Sequence, residues 1–212
     1  MTHIKRPYRS PRRREQAQET RRKILAAARE LFVKRGYGGS TMDAIAQGAG
    51  VAVQTVYASL GSKKGILLAL LDEMAEDADL SGMRAAVAAA AGDPPRQLRE
   101  RLAFTTRFFA GGADIIDIAR TVSGVESDLK EMWNEGEGRR HERTEALVAE
   151  WEAAGALAPG VAAREGTDLM WALCGPDVFR LLVTERGWSQ EQFQERIASI
   201  LESVLFAFLH EP

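Results

Sequence analysis

Apolar residues recur at the spacing of an α-helix along almost the whole chain, and no stretch of useful length alternates as a β-strand does. In the first such segment, Ile24, Leu25, Ala28, Leu31 and Phe32 fall on one face of a helix with 3.6 residues per turn. Glycine clusters separate one helical segment from the next. The pattern predicts an all-α protein of about nine helices.

Basic and acidic residues are distributed unevenly along the 212 residues. Residues 1–64 contain 14 Lys and Arg against 4 Asp and Glu, a net charge of +10, whereas residues 65–212 have a net charge of −12. A basic first third joined to an acidic remainder predicts that one end meets a polyanion. We expect a basic flexible arm over residues 1–14, a basic helical domain over 15–75 and an acidic helical domain over 76–212.

Two short helices are predicted close together inside the basic domain. The run Ser40-Thr41-Met42-Asp43 has the pattern of a capping box, in which Ser40 accepts from the amide of Asp43 and opens the first helix. A second helix runs from about Val53 to Leu60, and Ser62 can cap a longer third one. Two short helices across a glycine-containing turn predict a helix-turn-helix, although a plain helical hairpin has the same spacing.

The residues around these helices resemble those of a known family. They are the run Thr20–Phe32, the pairs Gly36-Tyr37, Ser40-Thr41 and Ile45-Ala46, the triplets Ala49-Gly50-Val51 and Thr55-Val56-Tyr57, and the pair Ser62-Lys63. Over about residues 17–75, this pattern resembles the start of the tetracycline-repressor (TetR) family of bacterial regulators. The resemblance implies a homodimer that binds a palindromic operator in double-stranded DNA, and a helical C-terminal domain that binds a small-molecule effector and dimerises.

Within this interpretation the second short helix enters the major groove, and its N-terminal residues face base edges. Gln54 is the predicted base reader because its amide can pair bidentately with adenine, and Val53 can pack on a thymine methyl group. The remaining candidates carry hydroxyl or ammonium groups suited to phosphates: Thr41, Thr55, Tyr57, Ser59, Lys63 and Lys64. Val56 is expected in the core, and Ala52 stands where this family usually has a capping Ser or Thr.

The basic candidates fall into two sets. Lys63 and Lys64 begin a helix, where the helix dipole disfavours a cation unless a phosphate is bound at the same end. The alternative is that both lysines simply point into water. The arm contributes basic side chains that could lie along the DNA backbone or in the minor groove: Lys5, Arg6, Arg9, Arg12, Arg13 and Arg14.

The acidic domain predicts helices at about 95–110, 113–122, 126–154, 162–186 and 190–209. Wide apolar side chains with sparse polar groups on its middle helices predict a ligand pocket, although any one of them could be ordinary core. The candidate effector residues are Phe104, Arg107, Phe108, Arg120, Trp133, His141, Met170, Trp171 and Asp177. Arg120 and Asp177 would orient a polar group of the ligand, or else form an internal salt bridge.

The last predicted helix is apolar on nearly all sides toward its end. Such a helix is either buried in one chain or shared between two. Its candidate dimer-interface residues are Phe193, Ile197, Ile200, Val204 and Phe208. Together with the preceding helix, it suits a four-helix bundle across a dimer.

Several other classes of protein find no support in the sequence. The longest unbroken apolar run, Ala85–Ala91, is too short to span a membrane, and no apolar stretch of a signal peptide follows the basic N-terminus, so a cytoplasmic location is expected. The three histidines lack metal-ligand spacing, and Cys174 sits in an apolar helix. Because no nucleotide or nucleophile motif occurs either, we expect no enzyme activity, no metal site and no cofactor.

These observations predict a transcriptional regulator, specifically a repressor that a small apolar or amphipathic effector releases from its operator. Two other functions fit parts of the same pattern. One is a DNA-bound structural or cell-division factor of the same fold that has no effector. The other is a helical ligand-binding protein or enzyme whose basic face is incidental.

Overall fold

A computed structural model describes residues 11–206 of the protein, and most of this range is helical. The elements are α1 (Pro11–Arg35), α2 (Met42–Ala49), α3 (Val53–Leu60), α4 (Lys63–Asp77), α5 (Leu80–Ala89), α6 (Pro94–Ser123), α7 (Ser127–Ala153), α8 (Ala163–Leu173), α9 (Pro176–Phe179), a π-helical segment (Arg180–Glu185) and α10 (Gln190–Leu205). The extended pairing within residues 11–206 is a single antiparallel bridge between Leu157 and Phe206. The predicted all-α fold is confirmed. No helix in the described range is both long and apolar enough to cross a membrane.

The chain divides into two compact units between Leu70 and Leu71. This division lies within α4, a few residues before the domain boundary expected at residue 75. The first unit, here the N-terminal unit, contains α1, α2, α3 and the first half of α4. The second, the C-terminal unit, contains the remaining helices.

Helix α1 begins earlier than the sequence suggested. We expected an arm through residue 14, but the helix starts at Pro11 and already includes Arg12, Arg13 and Arg14. Proline fits the first turn of a helix because its missing N–H would have no partner there. The other candidate arm residues, Lys5, Arg6 and Arg9, lie outside the described residues.

The core of the N-terminal unit is built from the apolar faces that the helical period predicted. Ile24, Phe32, Ile45, Val56 and Ile66 are all buried. Helices α1 and α2 approach closely at Gly48, where an added Cβ would lie 3.2 Å from the Cβ of Ala27. A larger residue at 48 would push these helices apart.

The cap of α2 differs from the predicted capping box by one residue. Thr41 is the N-cap, and its hydroxyl oxygen accepts from the Ala44 amide at 3.1 Å. The Ser40 hydroxyl is buried and donates instead to the Gly36 carbonyl at 2.8 Å. Ser ranks slightly above Thr as an N-cap residue, but here the Ser40 hydroxyl is engaged by Gly36 and Thr41 caps the helix.

The helices of the C-terminal unit depart from their predicted limits at three points. The predicted helices 95–110 and 113–122 join into α6, which kinks at Gly112 (φ −151°, ψ 33°). An added Cβ at Gly112 would overlap the Met74 side chain, which packs against the kink. The predicted helix 162–186 is divided into α8, which ends at Leu173, and α9, which begins at Pro176. The break occurs because proline has no N–H for the helical hydrogen bond and its ring clashes with the preceding turn. Helix α5 was not predicted, because its alanine-rich sequence has weak periodicity.

Candidate nucleic-acid interface

Helices α2 and α3 form the predicted helix-turn-helix. Helix α2 ends at Gly50, which adopts a left-handed conformation (φ 67°), and its amide donates to the carbonyls of Ala46 and Gln47. Only Val51 and Ala52 separate this glycine from the start of α3. The turn needs a positive φ, which glycine adopts without strain.

Helix α3 turns one face inward and presents another to solvent. Val56 is fully buried and anchors the helix in the core. Gln54 and Ser59 are exposed, Tyr57 is 52% exposed, and Thr55 is half-buried. The exposed amide and hydroxyl groups are of the types that hydrogen-bond to base edges and phosphates.

The N-terminus of α3 lacks a side-chain cap, as the sequence predicted. Ala52 occupies the N-cap position with extended geometry (φ −69°, ψ 146°) and makes no side-chain hydrogen bond there. Its carbonyl accepts from the amides of Thr55 and Val56 at 2.9 and 3.4 Å. The backbone amides of Val53 and Gln54, at the start of α3, therefore receive no hydrogen bond from a capping side chain.

The two lysines at the start of α4 differ in their surroundings. Lys63 Nζ donates to the Tyr37 carbonyl at 3.0 Å and lies 4.5 Å from the centroid of the Tyr37 ring. Tyr37 is buried and packs on Phe32, with ring centroids 5.2 Å apart. Lys64 is half-buried and does not share this contact. The alternative that both lysines simply point into water is therefore wrong for Lys63.

The Lys63–Tyr37 contact was not predicted from the sequence. Its two residues are 26 positions apart, and no local pattern joins them. Thr41, by contrast, was predicted from the sequence as a phosphate donor. Its oxygen accepts the Ala44 amide in the free protein, so its O–H remains able to donate to a phosphate.

The candidate effector residues are not brought together around one cavity. Phe104 and Phe108 stack with centroids 6.0 Å apart, and Arg107 Nε donates to the Ala78 carbonyl at 3.1 Å. On another side, His141 packs edge-on against Trp171 at 6.0 Å. Met170 is buried, and Trp133 is half-buried on α7.

Arg120 and Asp177 were expected either to orient a polar group of the ligand or to form an internal salt bridge, and the structure shows the salt bridge. Arg120 Nε lies 3.9 Å from Asp177 Oδ1, and Arg120 Nη2 lies 4.0 Å from Asp117 Oδ1. All three side chains are substantially exposed, so these pairs stabilise the fold only weakly.

A small cavity does lie nearby, but its lining residues are not among those predicted from the sequence. Its volume is about 10 Å³, roughly the room for one water molecule. Phe109, Ile116 and Phe179 form its apolar wall, and Asp117 and Arg180 are among its polar residues. The position of these residues depends on how α6 packs against α9, which helical periodicity does not predict.

The candidate dimer-interface residues separate into core and surface. Phe193 and Ile197 are buried within the chain, and Phe193 packs edge-on against Phe179 with centroids 5.2 Å apart. These two residues therefore stabilise the C-terminal unit itself. Ile200 and Val204 are 47% and 40% exposed and remain available to a second chain. Phe208 lies outside the described residues.

Sequence similarity to known proteins covers part of the chain. Residues 24–70 match the family described as bacterial regulatory proteins, tetR family. A stretch of 111 residues is 29% identical to the HTH-type transcriptional regulator EthR of Mycolicibacterium smegmatis and covers 52% of this chain and 51% of EthR. Over 68 residues, or 32% of each chain, identity to the HTH-type transcriptional regulator TtgR of Pseudomonas putida is 41%. The matches thus span about half of the first relative and a third of the second.

Similarity to solved structures extends much further along the chain. NalD, the secondary repressor of the MexAB-OprM multidrug efflux pump in Pseudomonas aeruginosa, matches with a TM-score of 0.72 at 21% identity, over 91% of this chain and 99% of NalD. The transcriptional regulator FadR from Bacillus subtilis, in complex with stearoyl-CoA, matches with a TM-score of 0.68 at 20% identity, over 85% of this chain and 96% of FadR. At these identities the likeness establishes the fold.

The turn at Gly50, the buried anchor Val56 and the exposed polar face of α3 define a helix-turn-helix protein of the DNA-binding class. The sequence and fold similarities agree with this class. Residues 24–70, which contain α2 and α3, match the family described as bacterial regulatory proteins, tetR family, and the fold of the chain is shared with solved regulators such as NalD and FadR.

Proposed function

We propose that this protein is a cytoplasmic, homodimeric transcriptional repressor that binds a palindromic operator and is released by a small apolar or amphipathic effector. The observation that carries the proposal is the face of α3. Gln54, Tyr57 and Ser59 are exposed there while Val56 anchors the helix, within a region of net charge +10. Such a surface combines readers of base edges with attraction to phosphates.

Related proteins support the two regulatory parts of this proposal. NalD is described as a repressor, and FadR from Bacillus subtilis was solved in complex with stearoyl-CoA. Dimerisation is supported by Ile200 and Val204, two apolar side chains exposed on α10. A second copy would remove both from water.

A second candidate function is a DNA-bound factor of the same fold that has no effector. The cavity lined by Phe109, Ile116 and Phe179 favours it, because a volume of about 10 Å³ accommodates no metabolite unless the cavity opens. The two functions share DNA binding and differ only in whether a ligand weakens it.

The test of DNA binding is selection from a random pool of duplex DNA with the full chain. We expect enrichment of a palindrome whose half-sites lie about one helical turn, ~10 base pairs, apart centre to centre. Binding to the selected site should weaken steeply between about 50 and 200 mM salt. Retention of DNA without enrichment of any sequence would contradict sequence-specific regulation. Absence of DNA binding would reject both candidate functions.

A further inference from the structure

Three irregular pieces of backbone meet at the small cavity in the C-terminal unit. Helix α6 kinks at Gly112, the helical path breaks before Pro176, and the segment Arg180–Glu185 is π-helical. Ala113, next to the kink, lines the cavity together with Pro176 and Arg180. π-Helical turns are rare and are frequently found at functional sites.

Arg180 brings an unused hydrogen-bond donor to this cavity. Its Nη1 pairs with the Glu185 carboxylate, but its Nε is buried and has no acceptor among the residues that the structure describes. Buried donors in native proteins nearly always have partners, and one without an acceptor costs free energy. A ligand oxygen placed in the cavity would satisfy it.

The apolar wall suits an aromatic ring. Phe109 and Phe179 lie with ring centroids 5.5 Å apart and ring planes inclined by 52°. Ile116 completes this part of the lining. Inclined aromatic rings of this kind favour edge-to-face contact with a further ring.

The charges around the cavity favour an uncharged ligand over an anion. Asp117, Asp177 and Glu185 contribute three carboxylates, whereas Arg120 and Arg180 contribute two guanidinium groups. Arg180 is already paired with Glu185, and Arg120 is shared by both aspartates. An added carboxylate would face an excess of negative charge.

We propose that this cavity is the effector site in a closed form, and that it takes an uncharged aromatic molecule bearing a hydrogen-bond acceptor for Arg180 Nε. The assignment rests on the proposed function, since it names the ligand class of the proposed effector site. A benzene ring occupies a cavity of about 150 Å³, so the cavity must widen on binding. The π-helical segment provides the movement, because a π turn holds one residue more than an α turn and can exchange its i→i+5 hydrogen bonds for α-helical ones.

The cavity also has a direct connection to the exposed helix face proposed for dimerisation. Phe179 lines the cavity, and its ring packs edge-on against Phe193 of α10 at 5.2 Å. Ile200 and Val204 are exposed on the same helix. A displacement of Phe179 by a ligand therefore acts on α10 through one ring contact.

The test uses three probes of nearly equal shape, titrated against the full chain by nuclear magnetic resonance and calorimetry. Acetophenone has a ring and a neutral acceptor, α-methylstyrene lacks the acceptor, and benzoate is an anion. We expect acetophenone to bind at least about tenfold more tightly than either of the others.

Two pairs of variants locate the site. Arg180→Lys keeps a cation for Glu185 but removes the Nε donor, and should abolish the preference for acetophenone over α-methylstyrene. Arg186→Lys, an exposed arginine directly after the π-helical segment, is its control. Ala113→Leu should fill the cavity and abolish acetophenone binding. Ala103→Leu on the same helix, outside the lining, should leave binding unchanged. Thermal unfolding verifies that each variant is folded.

The outcomes separate this inference from the proposed function. Equal affinity for acetophenone and α-methylstyrene, tighter binding of benzoate, or full binding by folded Ala113→Leu would each overturn the assignment. If the protein selects a palindrome but binds none of the probes, the ligand class is wrong and DNA-binding regulation stands. If no DNA is selected, the proposed function fails whatever the probes do.

Discussion

The Lys63 ammonium donates to the Tyr37 carbonyl at 3.0 Å and lies over the Tyr37 ring at 4.5 Å from its centroid. This contact joins the first residue of α4, just after α3, to the turn that precedes α2. It therefore connects the two ends of the helix-turn-helix. Because the ammonium is engaged within the protein, Lys63 and Lys64 should contribute differently to DNA binding.

Replacing each lysine by methionine separates these contributions. Lys63→Met should lower the free energy of unfolding by about 1 kcal/mol, since it loses a hydrogen bond and a cation–π contact. It should leave the salt dependence of operator binding unchanged. Lys64→Met should instead reduce the slope of the logarithm of the operator-binding constant against the logarithm of the salt concentration, by about one for each half-site. An equal loss of slope in both variants would show that Lys63 also neutralises a phosphate.

Gln54→Ala should relax sequence preference more than it weakens binding overall. We expect a loss of about 1–3 kcal/mol of discrimination at particular base pairs, because a bidentate amide contact is removed. Binding to a panel of single-base operator variants measures this directly. Gln190→Ala, an exposed glutamine at the start of α10, is the matched control. A uniform loss across the panel would identify Gln54 as a backbone contact.

Ala52→Ser should stabilise the protein. The residue already has the extended geometry of an N-cap, so a serine hydroxyl can accept from an amide in the first turn of α3. The expected gain in the free energy of unfolding is about 1 kcal/mol, measured by urea denaturation. Thr41→Ala, which removes the existing cap of α2, should cost a similar amount. A destabilised Ala52→Ser would mean that a contact at this position excludes the hydroxyl group.

Glutamate substitutions on α10 test the proposed dimer. Wild-type protein should scatter light as about twice 23.3 kDa at micromolar concentration. Ile200→Glu and Val204→Glu place charge on the exposed apolar face and should give folded monomers. Val125→Glu, at a valine that is 81% exposed outside α10, should remain dimeric. A wild-type monomer would reject the arrangement.

Cys174 should make stability depend on pH in the alkaline range. Burial raises the pKa of this thiol from its ordinary value of 9.0 to about 12, although Arg101 and Arg140 act in the opposite direction. The folded state therefore holds the proton more tightly than the unfolded state. Its contribution to stability is complete below about pH 9 and is lost as the pH rises toward 12.

The comparison of wild type with Cys174→Ala isolates this effect from other titrating groups. Between pH 9 and 11 the stability advantage of the wild type should fall by up to about 1.4 kcal/mol per pH unit. Urea denaturation at several pH values gives the difference. A constant difference across this range would show that the thiol is reached by water in the folded protein.

Local signals predicted the helix-turn-helix well, because each boundary is determined by nearby residues. Gly50 and Gly61 follow the last residues of α2 and α3, and Val56 is the one buried residue of α3. The choice of Thr41 over Ser40 as the cap depended instead on a hydrogen bond to Gly36, which sequence spacing does not show.

The C-terminal unit was harder to predict because its sites depend on packing between distant helices. Arg120 was selected as a ligand-binding residue, but the break at Pro176 places Asp177 within 3.9 Å of it. Phe193 and Ile197 have the same apolar character as Ile200, and only the packing of α10 in the folded chain shows that the first two are internal; Phe193, for example, lies against Phe179.

The π-helical segment Arg180–Glu185 has a consequence for how sequences of this kind can differ in length. A π turn contains one residue more than an α turn, and each residue of an α-helix is rotated by about 100° from the last. A homologue that lacked one residue here would carry an ordinary α-helix, and the side chains after the deletion would keep nearly the same faces up to the loop at Gly187, because the π turn is what holds the extra residue. The segment is thus a place where a single insertion or deletion changes the length of the chain while the residues that face inward on either side stay the same.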